Sequence, residues 1–264
     1  MSYTKLLTIA GSDSGGGAGI QADLKTWEAL GGYGMTAITA LTAQNTQGVS
    51  GIFPISPDFV AAQIDAIFTD MGADAVKIGM LYSAEIVEVV AQKMREYKVQ
   101  KVIIDPVMVA TSGDILLKKT AIEAMKKLLF PLASIITPNM PEAAMLLGRK
   151  IDSIAEMEMA TPLLTKWGSK AALLKGGHLA EGEDCWDILY VPAEFQVEEI
   201  CHKRIVTNNT HGTGCTLSAA IAFFLAKEYN ITEAVKAARI FLQDALIEGK
   251  DMQLGKGKAP VKWR

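Results

Sequence analysis

Asn208-Asn209-Thr210-His211-Gly212-Thr213-Gly214-Cys215-Thr216 joins a polar run to a strongly helical one, Leu217 to Lys227. Gly212 and Gly214 leave the backbone bare where a helix starts. The free N–H groups of a first turn, with the positive end of the helix dipole, make an anion site there. Cys215 falls in the same turn, where a thiolate is favoured. A phosphate-sized anion and an acid–base group would then lie a few ångströms apart, as phosphoryl transfer requires. Gly-x-Gly before a helix also serves as a plain tight turn, and a single Cys is often a small buried hydrophobe. The segment alone leaves both readings open.

A second loop, Gly11-Ser12-Asp13-Ser14-Gly15-Gly16-Gly17-Ala18-Gly19, places five glycines in nine residues after the first apolar run. It resembles a phosphate loop. It has no Gly-Lys-Ser/Thr, however, and Ile20 stands where the dinucleotide fingerprint needs its third glycine, so neither motif applies. The loop predicts close approach of backbone to a ligand, at the start of a helix that carries Asp23. Thr42-Ala43-Gln44-Asn45-Thr46 offers the Gln44 amide, with an acceptor and two donors in one plane. Such an amide pairs with an aminopyrimidine edge as it does with adenine, or simply faces solvent in a turn. Asn139-Met140-Pro141-Glu142 puts an amide and a carboxylate on one side of a helix start. With Asp105 from the neighbouring strand end, these oxygens suit a hydrated Mg²⁺, or an ordinary N-cap with a first-turn Glu. Asp105-Pro106 is also a common strand-ending turn. Lys175-Gly176-Gly177-His178 sets a lysine after an apolar strand, within reach of phosphate or on a surface turn. His211, four residues before Cys215, raises a different chemistry, a thiol activated by imidazole.

These residues need a scaffold that gathers strand ends. Leu6–Ala10, Ala75–Ile78, Val102–Ile104, Ser134–Ile136 and Ala171–Leu174 are short apolar runs, closely followed by Gly, Pro, Asp or Asn, and they predict buried strands. Between them, Ser56-Pro57 opens a helix carrying Val60, Ile64 and Ile67. Ala84–Tyr97 and Met140–Leu147 are further helices, and Thr120-x-x-Glu123 and Ser153-x-x-Glu156 fit the capping box. Repeated β–α units imply a mostly parallel sheet with helices on both faces. Ligands then bind at the carboxyl ends of the strands, where Gly11, Gly79, Asp105, Asn139 and Lys175 fall. Gly34–Leu41 and Gly51–Ile55 are expected as extra strands of a small flap, and Trp186–Val191 with Ile200–Val206 as a late antiparallel pair.

No repeat or linker divides the 264 residues, so one domain over 1–264 is expected. A net charge of −3 and a pI of about 5.7 exclude the basic footprint of nucleic-acid or anionic-membrane binding. No apolar run reaches the roughly 18 residues of a membrane helix. The N-terminal apolar run reads as a strand rather than a signal peptide. Cys185, Cys201 and Cys215 show neither a disulfide framework nor metal spacing. A reduced, cytoplasmic enzyme is the expectation.

Together, two glycine loops, a carboxylate–amide pair and a lysine at one sheet edge resemble the ribokinase-like kinases. More closely, Gly11–Gly19 with Gln21-Ala22-Asp23, Thr42–Thr46, Lys77-Ile78-Gly79-Met80, Asp105-Pro106-Val107, Thr137–Glu142, Lys175–His178 and Thr210–Thr216 resemble the hydroxymethylpyrimidine/phosphomethylpyrimidine kinases of thiamine biosynthesis. The resemblance runs over almost the whole chain. It implies a ribokinase-like α/β fold, a homodimer, and ATP-dependent phosphorylation of 4-amino-5-hydroxymethyl-2-methylpyrimidine and then of its monophosphate. By the same resemblance Gln44 reads the pyrimidine edge, and Gly11, Asp23, Met80 and Val107 belong to the substrate pocket. Cys215 is the candidate base, and Gly212, Thr213 and Gly214 form the anion hole. Lys175, with Asn139 and Gly214, meets ATP; Asn139 and Glu142, with Asp105, hold Mg²⁺ through water. Many relatives in the wider fold carry Asp where Cys215 stands, and many closer ones a His near Trp263, after the tail Gly255–Pro260. Pyridoxal kinase is the nearest alternative, because its substrate is also a flat heteroaromatic with a hydroxymethyl arm; Gln44 favours the aminopyrimidine. A thiol enzyme and a non-catalytic pyrimidine-binding protein are rivals from other classes.

Overall fold

All five apolar runs form strands in the computed structural model, which describes residues 2–108, 119–177, 179 and 183–263. The order is β1 (Lys5–Asp13), α1 (Gly19–Leu30), β2 (Tyr33–Asn45), β3 (Gly48–Pro54), α2 (Pro57–Phe68), β4 (Ala75–Ile78), α3 (Ala84–Glu96) and β5 (Val102–Ile104). Then follow α4 (Lys119–Ala124), β6 (Ile135–Ile136), α5 (Met140–Leu147), α6 (Ile154–Leu164), β7 (Ala172–Lys175), β8 (Asp184–Val191), β9 (Gln196–Lys203), α7 (Thr213–Ala226) and α8 (Ile231–Gly249). Among the described residues these strands make one sheet, ordered β3-β2-β1-β4-β5-β6-β7-β8-β9. The run from β2 to β7 is parallel, and β3, β8 and β9 are antiparallel additions at its two edges.

The period of two in a strand divides the core. Leu7, Ile9, Val76, Ile78, Val102 and Ile104 face one cluster, covered by α2 to α6. Leu6, Ala75, Ile103, Ile135 and Leu173 face the other, under α1, α7 and α8. Both faces are therefore dry, which explains why these strands read as unbroken apolar runs.

Several expectations are corrected. Segment 34–41 belongs to the main sheet, not to a flap: Tyr33 to Ile38 pairs in parallel with Lys5 to Ala10, and only the far end of β2 turns back on β3. Burial is the reason, since Met35, Ala37 and Ala40 pack inward while Leu41, beyond the core, is exposed. The late hairpin begins its second strand at Gln196 and ends it at Lys203, because the turn at Pro192–Glu194 fixes the register from Val191↔Gln196 to Asp184↔Lys203. Thr120 is the second residue of α4 and so is not its N-cap. Ser153 accepts from the Glu156 N–H, but the Glu156 carboxylate accepts from Asp152 N–H, so that capping box is only half formed. The long α8, which the sequence reading passed over, has a complete box at Asn230 and Glu233. No helix among the described residues is long and apolar enough to cross a membrane.

Candidate active site

A cleft of about 800 Å³ opens at the carboxyl ends of the parallel strands. Its wall includes Gly11, Gln44, Met80 and Val107, then Asp105, Asn139, Glu142 and Lys175, and Gly212, Thr213, Gly214 and Cys215. Residues far apart in the chain thus share one cavity. Asp23 is the exception. It is fully buried beneath the wall, where it accepts from Thr8 Oγ1 at 2.6 Å and from Lys77 Nζ at 2.9 Å, so direct contact with a substrate is closed to it. His178 lies outside the described residues.

Gly212 caps α7 in the left-handed conformation at φ 79. A Cβ there would stand 1.9 Å from the Gly17 carbonyl oxygen, so only glycine fits. Thr216 donates to Gly212 O and Thr213 to Thr210 O. Gly214 and Cys215 keep their N–H groups at the positive end of a buried helix, in the cavity wall. A Cβ on Gly214 would lie 3.3 Å from Lys175 Nζ and 3.4 Å from Asp105 Oδ2. The helix start therefore approaches the lysine closely, and glycine permits it.

The first glycine loop is not open to phosphate. The Asp13 carboxylate fills it, accepting from the N–H groups of Gly15 at 2.8 Å, Gly17 at 3.0 Å and Ala18 at 2.9 Å. His211 Nε2 meets the same carboxylate at 2.9 Å. Burial would raise the Asp13 pKa, but the bonds from His211 and the loop outweigh it and hold the carboxyl below its usual range. A carboxylate only accepts, so His211 Nε2 carries the proton. His211 therefore faces Asp13, and the thiol relay to Cys215 has no geometry here. Gln44 Nε2 lies 3.5 Å from that same donor nitrogen, which is no hydrogen bond between two N–H groups; its Oε1 accepts from Thr42 Oγ1 at 3.1 Å, which leaves that oxygen's second lone pair and the NH₂ for a ligand in the cavity it lines. The Gln44 backbone is pinned, exchanging bonds with Ser14 Oγ at 2.8 Å on both its N–H and C=O. The C-terminal tail braces the next residues: Lys258 N–H donates to Thr46 O and Gly257 N–H to Thr46 Oγ1. Trp263 Nε1 donates to Thr216 Oγ1, so the tail holds the Gln44 loop and α7.

Asp105 is paired with Lys175 at 2.8 Å and accepts from Thr137 Oγ1 at 3.2 Å. Burial is opposed by Lys175 and Lys77, which hold its carboxyl below the usual range. The ion pair engages Asp105 Oδ1, and no group of three or more His, Cys, Asp or Glu among the described residues could hold a metal directly. Asn139 and Glu142 form a full capping box, at 2.8 and 2.9 Å. Burial pushes the Glu142 carboxyl up to about 7, against the pull of Lys175. A hydrated divalent cation would favour its charged form, so these two residues fit Mg²⁺ through water. The thiolate expected at Cys215 is also corrected. Burial pushes the thiol up to about 11, outweighing Lys77 and the Gly19 N–H.

Sequence reading missed Asp13, Lys77 and the outer arm of the cleft. In that arm buried Asp187 accepts from Gly176 N–H at 2.9 Å and pairs with Arg239, which also meets His202. One signal was present: an acidic residue inside a glycine run has N–H donors on every side.

The sequence model of the phosphomethylpyrimidine kinase family matches residues 13–262. The hydroxymethylpyrimidine/phosphomethylpyrimidine kinase of Rhizobium meliloti is 48% identical over 97% of this chain and 95% of its own. That of Escherichia coli is 47% identical over 99% and 97%. A bifunctional thiamine biosynthesis protein of Geobacter sulfurreducens is 49% identical, and the chain spans 51% of its length. Among solved structures, an ADP complex of Bacillus subtilis pyridoxal kinase has a TM-score of 0.91 at 38% identity, over 99% of this chain and 97% of that one. The phosphomethylpyrimidine kinase of Clostridium difficile has a TM-score of 0.80 at 44% identity, over 91% and 98%. Matched to these relatives along nearly its whole length, the chain belongs to the phosphomethylpyrimidine kinase family and has the ribokinase-like fold.

Proposed function

We propose that this kinase transfers the γ-phosphoryl group of ATP to the hydroxymethyl oxygen of 4-amino-5-hydroxymethyl-2-methylpyrimidine, and then phosphorylates the monophosphate to the diphosphate. One observation carries the reading: the available Gln44 amide shares a cavity with Lys175 and with the N–H groups of Gly214 and Cys215. Gln44 orients the ring by its amine edge, and Met80 and Val107 pack beside it. The minor thiolate form of Cys215 takes the hydroxymethyl proton, forming S–H, as the O–P bond forms and the bond to the leaving ADP oxygen breaks. The N–H groups at the start of α7 and the Lys175 ammonium stabilise charge that develops on the phosphoryl oxygens. Asn139 and Glu142 would hold Mg²⁺ through water, where it supplies charge neutralisation on the phosphates.

The names of the relatives support the pyrimidine. The likeness to pyridoxal kinases keeps pyridoxal as a second substrate to test. The reading extends to one kinase domain, in the cytoplasm, acting as a homodimer through the exposed Leu41 and Phe53 of the β2–β3 hairpin. Light scattering of the wild type and of Phe53→Glu would read the dimer.

An ATP-coupled assay across the pyrimidine alcohol, its monophosphate and pyridoxal tests the substrate, with the two pyrimidines expected to turn over best. Cys215→Ala should lower turnover by roughly 10²–10⁴-fold with little change in pyrimidine affinity. Near-normal turnover in that variant would rule Cys215 out as the base.

A further inference from the structure

Gln44 and the start of α7 come from distant parts of the chain, yet both line one cavity, and transfer between their ligands depends on the separation between them. The first glycine loop spans that separation. At one end Ser14 Oγ bonds the Gln44 N–H and C=O at 2.8 Å, and a Cβ on Gly15 would stand 3.2 Å from Gln44 O. At the other end a Cβ on Gly212, the N-cap of α7, would stand 1.9 Å from Gly17 O, and one on Gly17 would stand 2.4 Å from His211 Cδ2. Asp13 serves both ends. Its Oδ1 accepts from Gly15 N–H, and its Oδ2 accepts from Gly17 N–H, Ala18 N–H and His211 Nε2. The three N–H groups of the loop order the loop itself. The fourth donor comes from 198 residues away and stands immediately before the N-cap of α7. The tail fixes it from behind, since His211 N–H donates to Ala259 O at 3.2 Å. Both side chains are buried, which shields the bond from water.

We propose that Asp13 and His211 are positioning residues, a tie that holds the amide reading the pyrimidine ring and the helix start receiving the phosphoryl charge at one fixed separation. The inference rests on the proposed function. The tie works through other groups: the Asp13 carboxylate is filled by its four donors, and His211 Nε2 gives its hydrogen bond to that carboxylate. Breaking this bond leaves Gln44 fastened to Ser14, and leaves the N–H groups of Gly214 and Cys215 on their helix. Each ligand alone therefore keeps its contacts. What is lost is their mutual alignment, which counts in the transfer step, where a misplacement of about 1 Å costs roughly a hundred-fold in rate.

Full-length wild type, His211→Leu and His211→Gln are compared by a coupled assay with the pyrimidine alcohol, and by calorimetry of that alcohol and of a non-hydrolysable ATP analogue, each bound alone. His211→Leu should lower kcat roughly ten- to a hundred-fold while the dissociation constant of each ligand stays at its wild-type value. His211→Gln, whose amide N–H reaches close to the place of the imidazole Nε2–H, should recover most of that loss. If His211→Leu does not fold, His211→Asn, polar but too short to meet Asp13, is read by the same criteria. Normal kcat in a folded loss variant overturns the inference. So does binding of either ligand alone that weakens by as large a factor as kcat falls, which would make His211 part of a binding site or only of the fold. A glutamine variant no better than the leucine or asparagine one overturns it too, as does failure of both loss variants to fold, since the pair would then be structural. A wild type that turns over pyridoxal and not the pyrimidine shows the substrate reading to be wrong, and the same split is then read on pyridoxal. A wild type inactive with both overturns the proposed function and the tie with it.

Discussion

Gln44 has its backbone fastened to Ser14 and its amide beside a nitrogen that is already donating. The side chain is thereby held in place without being used up. Its amide oxygen can accept from the exocyclic amine of a pyrimidine, and its NH₂ can donate to a ring nitrogen. Leucine matches the volume and offers neither bond. Each lost bond costs roughly 1–3 kcal/mol, so Gln44→Leu should lower kcat/KM for the aminopyrimidine about ten- to a hundred-fold. Pyridoxal, which lacks that amine, should lose less. Equal losses would mean that Gln44 supports the pocket without reading the ring. Gln44, Asn139, Glu142 and Cys215 were legible because each sits in a short local motif. Lys77 and Asp13 were not. The partner of Lys77 is 54 residues away and the His211 partner of Asp13 is 198 residues away; ion pairs across such distances leave no periodicity to read, and only the N–H groups of its own glycine loop gave Asp13 a local signal.

At the scale of elements, the start of α7 separates two roles of glycine. Gly212 is needed by the backbone, through its left-handed φ and the Gly17 carbonyl against it. Gly214 is inside the helix, and its missing side chain serves the approach of Lys175. Gly212→Ala should therefore destabilise the protein by about 2 kcal/mol or more. Gly214→Ala should keep or slightly raise the melting temperature, since Ala favours helix over Gly, while turnover falls. Calorimetry with a coupled assay on both variants checks this, and loss of stability in both would make the turn purely structural. The helix start was predictable from its glycines. The course of β2 was not, because alternation in 34–41 cannot distinguish an inner strand from a flap; only packing of Met35 and Ala37 under the sheet decides it.

For the whole molecule, the parallel run from β2 to β7 was readable as repeated β–α units, and it brings the strand ends to one rim. Charge gathered at that rim gives stability a pH dependence. Glu142 is held at about 7 when folded, above its ordinary 4.5. The native state keeps that proton longer than the unfolded chain, so its contribution is full below the ordinary value and is lost as pH rises toward the folded one. Asp13 and Asp105 are shifted the other way, so their contribution fades as pH falls through the acid range. Glu142→Gln should flatten the decline in melting temperature between about pH 5 and about pH 8. A decline as steep as in the wild type would assign it to other groups.

The carboxylate of Asp13 inside the first glycine loop bears on the entropy of binding. A loop with so many glycines has much conformational freedom to lose. Here the chain carries its own anion and has ordered the loop beforehand. An arriving pyrimidine therefore meets a finished wall and spends none of its affinity on folding one. Its heat-capacity change on binding should match the area of a small buried ring, well below that of coupled folding.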